Sequence, residues 1–273
     1  MNKKILSLYG LKFNPFSPQV PDSALWQPVA VSNFAWRIEQ QIGEGGFALI
    51  LGDPGSGKSS ALRILASRLD QINDLSLGVL SRPQALVPDF YRELGDLFGI
   101  ALSPHNRWNS AKLLREKWLN HIDNSLYRPV LLIDEAQEMK SPVFNELRLL
   151  ASTQLDSRSI LTIVLSGDNR LLHRLNHPEL LPISSRVRCR LKLESLSPKD
   201  LREYLQNLCT AAGNPTLMSD GLMRTLCEHA AGNLRLLMNM ANEILLTACR
   251  DERDIIDEKL YFEVFNPTGK PQK

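Results

Sequence analysis

The stretch GDPGSGKS, Gly52 to Ser59, constrains this chain more than any other feature of its 273 residues. It follows the apolar run FALIL (Phe47 to Leu51) and precedes a helical pattern, Ser60 to Leu69. A strand, a glycine-spaced loop and a helix in that order fit GxxxxGK[ST], a cradle for polyphosphate. Glycines let the backbone wrap with its N–H groups turned inward, and the helix adds its positive N-terminal end. Lys58 supplies a cation to the outer phosphates, and the Ser59 hydroxyl supplies a ligand for Mg²⁺. Gly52, Asp53, Pro54, Gly55, Ser56, Gly57 and Ser60 complete the expected binding loop.

A second acidic feature sits at the end of another apolar run. VLLIDEAQ places Asp134 and Glu135 just after Val130 to Ile133. A carboxylate there can hold Mg²⁺ beside the loop, and an adjacent glutamate can orient and polarise a water. The pairing predicts ATP hydrolysis with Asp134 on the metal and Glu135 as the base. Nothing like an NKxD guanine-reading motif occurs, so ATP rather than GTP is the expected nucleotide.

The organisation fits this chemistry. Further apolar runs occur at LTIVL (Leu161 to Leu165), LSLGVL (Leu75 to Leu80) and RCRLKL (Arg188 to Leu193). With helical patterns between them, they predict an α/β fold: a parallel five-stranded sheet with helices on both faces. From Ser197 on, only helical periodicity remains, starting with Ser197 as N-cap, Pro198 at the first helical position and Asp200 in the first turn. The expected division is an N-terminal segment at 1–45 packing on the nucleotide site, a sheet domain at 46–195, a helical lid at 196–265 and a disordered tail at 266–273. Net charge of +2 reveals no basic face by itself. Cys189, Cys209, Cys227 and Cys249 lie in no CxxC pair, which predicts buried free thiols. No apolar run approaches the ~18 residues of a membrane span, so a cytoplasmic protein without a membrane partner is expected.

Together these motifs resemble the AAA+ ATPases. YGLKFNPFS (Tyr9 to Ser17), IDEAQ (Ile133 to Gln137) and GNLRLLMN (Gly232 to Asn239) resemble the ExeA/GspA-like branch, which includes the stand-alone TniB/TnsC-type transposition ATPases. The resemblance implies more site residues. In SGDNRL, Asp168 takes the place of the first sensor, with Ser166 the next choice. Arg186 in ISSRV stands where the family has an arginine finger reaching a neighbour's γ-phosphate, with Arg188 and Arg190 close by. Arg235 in GNLR resembles the second sensor. Phe13, Pro15 and Phe16 fall where the family packs near the adenine, though as core anchors they are equally well explained.

For biological role, the resemblance implies an ATP-driven ring or helical homo-oligomer, of about six or seven subunits per turn, on double-stranded DNA. Such an assembly recruits a transposase, with a target-selection protein as a further partner. Arg107 and Lys112, in SPHNRWNSAKLLREKW, are the DNA contacts this implies. Lys112 and Glu116 also make a plain i,i+4 pair, and Trp108 reads as a core anchor. The alternative is a secretion-assembly ATPase that does not bind DNA. The chain ends soon after the helical region without an apolar span, which favours the transposition reading.

Overall fold

A computed structural model describes residues 2–103, 106–154 and 157–265. The tail expected at 266–273 lies outside them. The chain divides into two units, one of Gln27–Pro54 with Lys58–Leu193, the other of 1–26, 55–57 and Glu194 onward.

The first unit holds β1 (Gly46–Gly52), β2 (Leu77–Leu80), β3 (Val130–Ile133), β4 (Ser152–Thr153), β5 (Arg158–Ser159), β6 (Thr162–Gly167) and β7 (Val187–Leu193). β4 and β5 pair only with each other. The rest form one sheet in the order β2-β3-β6-β1-β7, parallel throughout. Every residue of β1, β3 and β6 is buried, which is why these strands lack polar alternation. β2 and β7, at the edges, alternate. This order sets the ends of β3 and β6 side by side, with β1 on the far side of β6, so the segments after all three strands converge at one edge.

This unit also holds the α-helices α2 (Val29–Gln41), α3 (Lys58–Leu69), α4 (Val87–Phe98), α5 (Arg107–Ser125), α6 (Ser141–Leu150), α7 (Asn169–Leu175) and α8 (Leu181–Ser184). Gly99 ends α4 at φ 63, the left-handed cap that glycine takes without a Cβ penalty. Asn106 caps α5 by accepting from the Asn109 N–H at 3.0 Å. Trp118 of α5 is fully buried and meets Phe98 edge-on at 5.3 Å between centroids. Trp108 corrects the expectation of a core anchor: it sits in the first turn of α5, 75% exposed. It lies off the helix face that carries the buried stripe of Ser110, Leu114, Trp118 and Ile122.

The second unit holds α1 (Asn2–Tyr9), α9 (Pro198–Ala211), α10 (Asp220–Ala230), α11 (Leu234–Arg250) and α12 (Glu258–Phe265). Ser197 and Asp200 form the reciprocal capping box that the sequence predicts. Ser219 and Asn233 cap α10 and α11. The expected 1–45 segment is divided, since residues up to Trp26 pack with these helices and Gln27 onward belongs to the sheet unit. Tyr9 Oη donates to Arg253 O at 2.9 Å, Asn14 Nδ2 donates to Asn242 Oδ1 at 3.0 Å, and Phe16 is buried.

All four cysteines are buried and free. Burial pushes the Cys209 thiol up to about 12 and the Cys227 thiol up to about 11. At mildly alkaline pH the Cys209 thiolate is therefore scarcer than that of a free thiol by about a thousandfold. A chromogenic disulfide reagent should react with it only over the timescale of unfolding, and with all four thiols at once in denaturant. Fast titration of four thiols in the native protein would contradict this burial.

Candidate nucleotide site

The glycine loop leaves the end of β1 and enters α3 at Lys58. Gly55 and Gly57 have φ of 86° and 98°, a region that costs glycine nothing and strains other residues. Within the helical unit, which takes in Gly55–Gly57, the Leu234 N–H donates to Gly55 O at 3.0 Å, and a Cβ on Gly55 would run into the Asn233 side chain. Ser56 Oγ is buried with no hydrogen-bond partner among the described residues, the mark of a loop built to receive an acceptor. Lys58 is 6% exposed, and its ammonium donates to Gly52 O at 2.9 Å and Asp53 O at 3.2 Å.

Asp134 ties three elements together. Its Oδ2 accepts from Ser59 Oγ of α3 at 2.7 Å. Its Oδ1 accepts from Ser166 Oγ of β6 at 2.8 Å and from the Glu135 N–H at 2.9 Å. Ser166 is fully buried. This donor set is all oxygen and carries one formal negative charge, which suits a hard divalent cation such as Mg²⁺. Glu135 is exposed, and its backbone lies at φ 50 and ψ 37, the left-handed region. A non-glycine residue held there costs of order 1–3 kcal/mol.

Asp168, the expected sensor, caps α7 by accepting from the Arg170 N–H at 2.8 Å. Its carboxylate also pairs with the Arg170 guanidinium at 2.8 Å, and that hydrogen-bonded ion pair holds the carboxyl below the usual range. The next residue is the one that reaches the loop: Asn169 Nδ2 donates to Asp53 Oδ1 at 3.0 Å. Ser166, the second choice, faces Asp134. Sequence reasoning missed Asn169, since nothing but strand order brings the end of β6 to the end of β1.

Arg186 sits in the turn before β7 and donates to Pro182 O. Arg188 pairs with Glu44 at 2.5 Å. Arg235 is exposed in the first turn of α11. Of the expected DNA contacts, Arg107 pairs with the buried Glu146 carboxylate at 2.7 Å, which also accepts from Tyr91 Oη at 2.7 Å. Lys112 lies 5.8 Å from the Trp108 ring centroid and 3.8 Å from Glu116.

A five-stranded parallel sheet with this loop after β1 and these carboxylates after β3 is the P-loop NTPase fold. Residues 40–175 match the family of the AAA domain. Among curated proteins the chain is similar to general secretion pathway protein A of Aeromonas hydrophila, 26% identical over 230 residues. That match covers 82% of this chain but spans only 41% of the relative. Among solved structures it is similar to Cdc6p from Pyrobaculum aerophilum at 15% identity, TM-score 0.69, covering 89% of this chain and 67% of that one. It is also similar to Drosophila ORC at 16% identity, TM-score 0.71, covering 97% and 65%. RuvB of Thermotoga maritima matches at 19% identity, TM-score 0.63, covering 93% and 73%. Among the described residues no helix is long and apolar enough to cross a membrane.

Proposed function

We propose that this chain is a Mg²⁺-dependent ATPase that regulates DNA transposition as an oligomer on double-stranded DNA. The observation that carries the enzymatic part is the junction of Ser59, Asp134 and Ser166, with Glu135 next to it. Residues 52–60 would hold the phosphates, with Lys58 neutralising their charge, and Ser59 and Asp134 would hold Mg²⁺, which stabilises developing charge on the oxygens. Ser166 orients Asp134. Glu135 takes a proton from the attacking water. Asp168 and Arg235 serve as the sensors, and Arg186 leaves Pro182 O to reach a neighbour's nucleotide.

Support for the DNA-associated role comes from the ExeA/GspA-like motifs together with the structural relatives. One of these is ORC bound to DNA, and another is a Holliday junction branch migration motor. Lys112, whose partner Glu116 is itself exposed, is the better placed of the two candidate DNA contacts. A transposase and a target-selection protein are the implied partners. One observation favours a second reading: the curated relative is a secretion-pathway protein, which supports an ATPase of secretion-apparatus assembly.

Electron microscopy of the purified chain with ATP, with and without duplex DNA, separates the two. Rings or filaments that form only with both ATP and DNA are expected. Assembly and turnover indifferent to DNA would overturn the transposition role and favour the secretion one.

A further inference from the structure

Gln137 is a buried amide whose two ends are taken up by partners of opposite polarity. The residue is 6% exposed. Its Nε2 donates to Glu135 Oε2, and its Oε1 accepts from the Asp168 N–H at 3.3 Å. Glu135 follows β3 and Asp168 follows β6, and those strands are hydrogen-bonded neighbours. The amide therefore spans two adjacent strand ends.

The surroundings are shaped for it. A Cβ on Gly167 would lie 2.6 Å from Gln137 Oε1, so the missing side chain at the end of β6 is what makes room. The turn carrying Gln137 is fixed from α7, where Arg174 Nη1 donates to Gln137 O at 2.6 Å and to Met139 O at 2.5 Å. The Arg174 guanidinium also lies over the Phe144 ring at 5.2 Å. Glu135, by contrast, is exposed. Burial does not fix its carboxylate; the Gln137 amide does.

We infer that Gln137 is a positioning residue for hydrolysis, holding the Glu135 carboxylate at the strand end by a bond referenced to the backbone of β6. The inference rests on the reading of Glu135 as the base. An amide is needed because one end must donate and the other must accept. Glutamate has the same shape but has no N–H to donate and sets a second carboxylate against the first. Methionine keeps much of the volume and supplies neither bond.

The test uses the full chain as wild type, Gln137→Glu and Gln137→Met. Steady-state ATP hydrolysis is measured at saturating ATP, and affinity by titration with a fluorescent ATP analogue. Both variants should lose kcat by about 10- to 100-fold, the scale of a misplaced catalytic group, with affinity within about twofold, a split that a merely structural role would not produce. Wild-type kcat in either variant, or affinity lost in step with kcat, would each overturn the assignment. A wild type that binds ATP without turnover would overturn the ATPase reading and this one with it. Normal wild-type turnover alongside indifferent variants would remove only the role of Gln137.

Discussion

Glu135→Gln should leave a protein that binds ATP at wild-type affinity and hydrolyses it about 10²- to 10⁴-fold more slowly, the range over which a positioned general base contributes. The amide matches the carboxylate in shape, and Glu135 is exposed, so the fold has little reason to respond. What is lost is the carboxylate's charge and its capacity to accept a proton. The phosphate loop and Asp134, to which the binding is assigned under the proposed function, are untouched. Phosphate release under saturating ATP and Mg²⁺, beside an equilibrium titration, measures both quantities on one preparation. Turnover within a few-fold of wild type would mean that another group takes the proton.

Lys58→Ala should act on the other quantity. Its ammonium now satisfies two loop carbonyls, at 2.9 and 3.2 Å, and would exchange them for phosphate oxygens. Charge-assisted hydrogen bonds are worth about 1.5–3 kcal/mol each, so losing one or two weakens ATP binding by roughly tenfold to several hundredfold or more. Calorimetric titration with Mg-ATP measures this, and an unchanged Kd would count against the loop as the phosphate cradle. Thermal unfolding without nucleotide should move little, because the variant removes a buried charge along with its partners' hydrogen bonds.

Much of the fold was legible because it depends on local signals. The runs at Phe47, Val130 and Leu161 are apolar throughout since their strands are covered on both faces, and all three become strands within a residue or two. Ser197, Pro198 and Asp200 start a helix by chemistry confined to four positions. The loop at Gly52 to Ser59 and the pair Asp134 and Glu135 were visible for the same reason. What stayed hidden depends on strand order. Only after β3 and β6 are known to be neighbours does Ser166 face Asp134 or Gln137 meet the Asp168 N–H, and only the nearness of β6 to β1 brings Asn169 to Asp53. Nor could spacing give the left-handed backbone of Glu135. The two tryptophans of α5 differ by where they fall on its face: Trp118 lies on the buried stripe, and Trp108 precedes it.

The ion pair between Arg107 and Glu146 has a practical bearing on any survey of nucleic-acid binding by charge removal. Deleting the guanidinium takes the cationic partner from an acidic group in the protein interior and leaves it the Tyr91 phenol, so a loss of signal at that position would report misfolding rather than a missing phosphate clamp. Neutralising Lys112 strands nothing, and its result can be taken at face value.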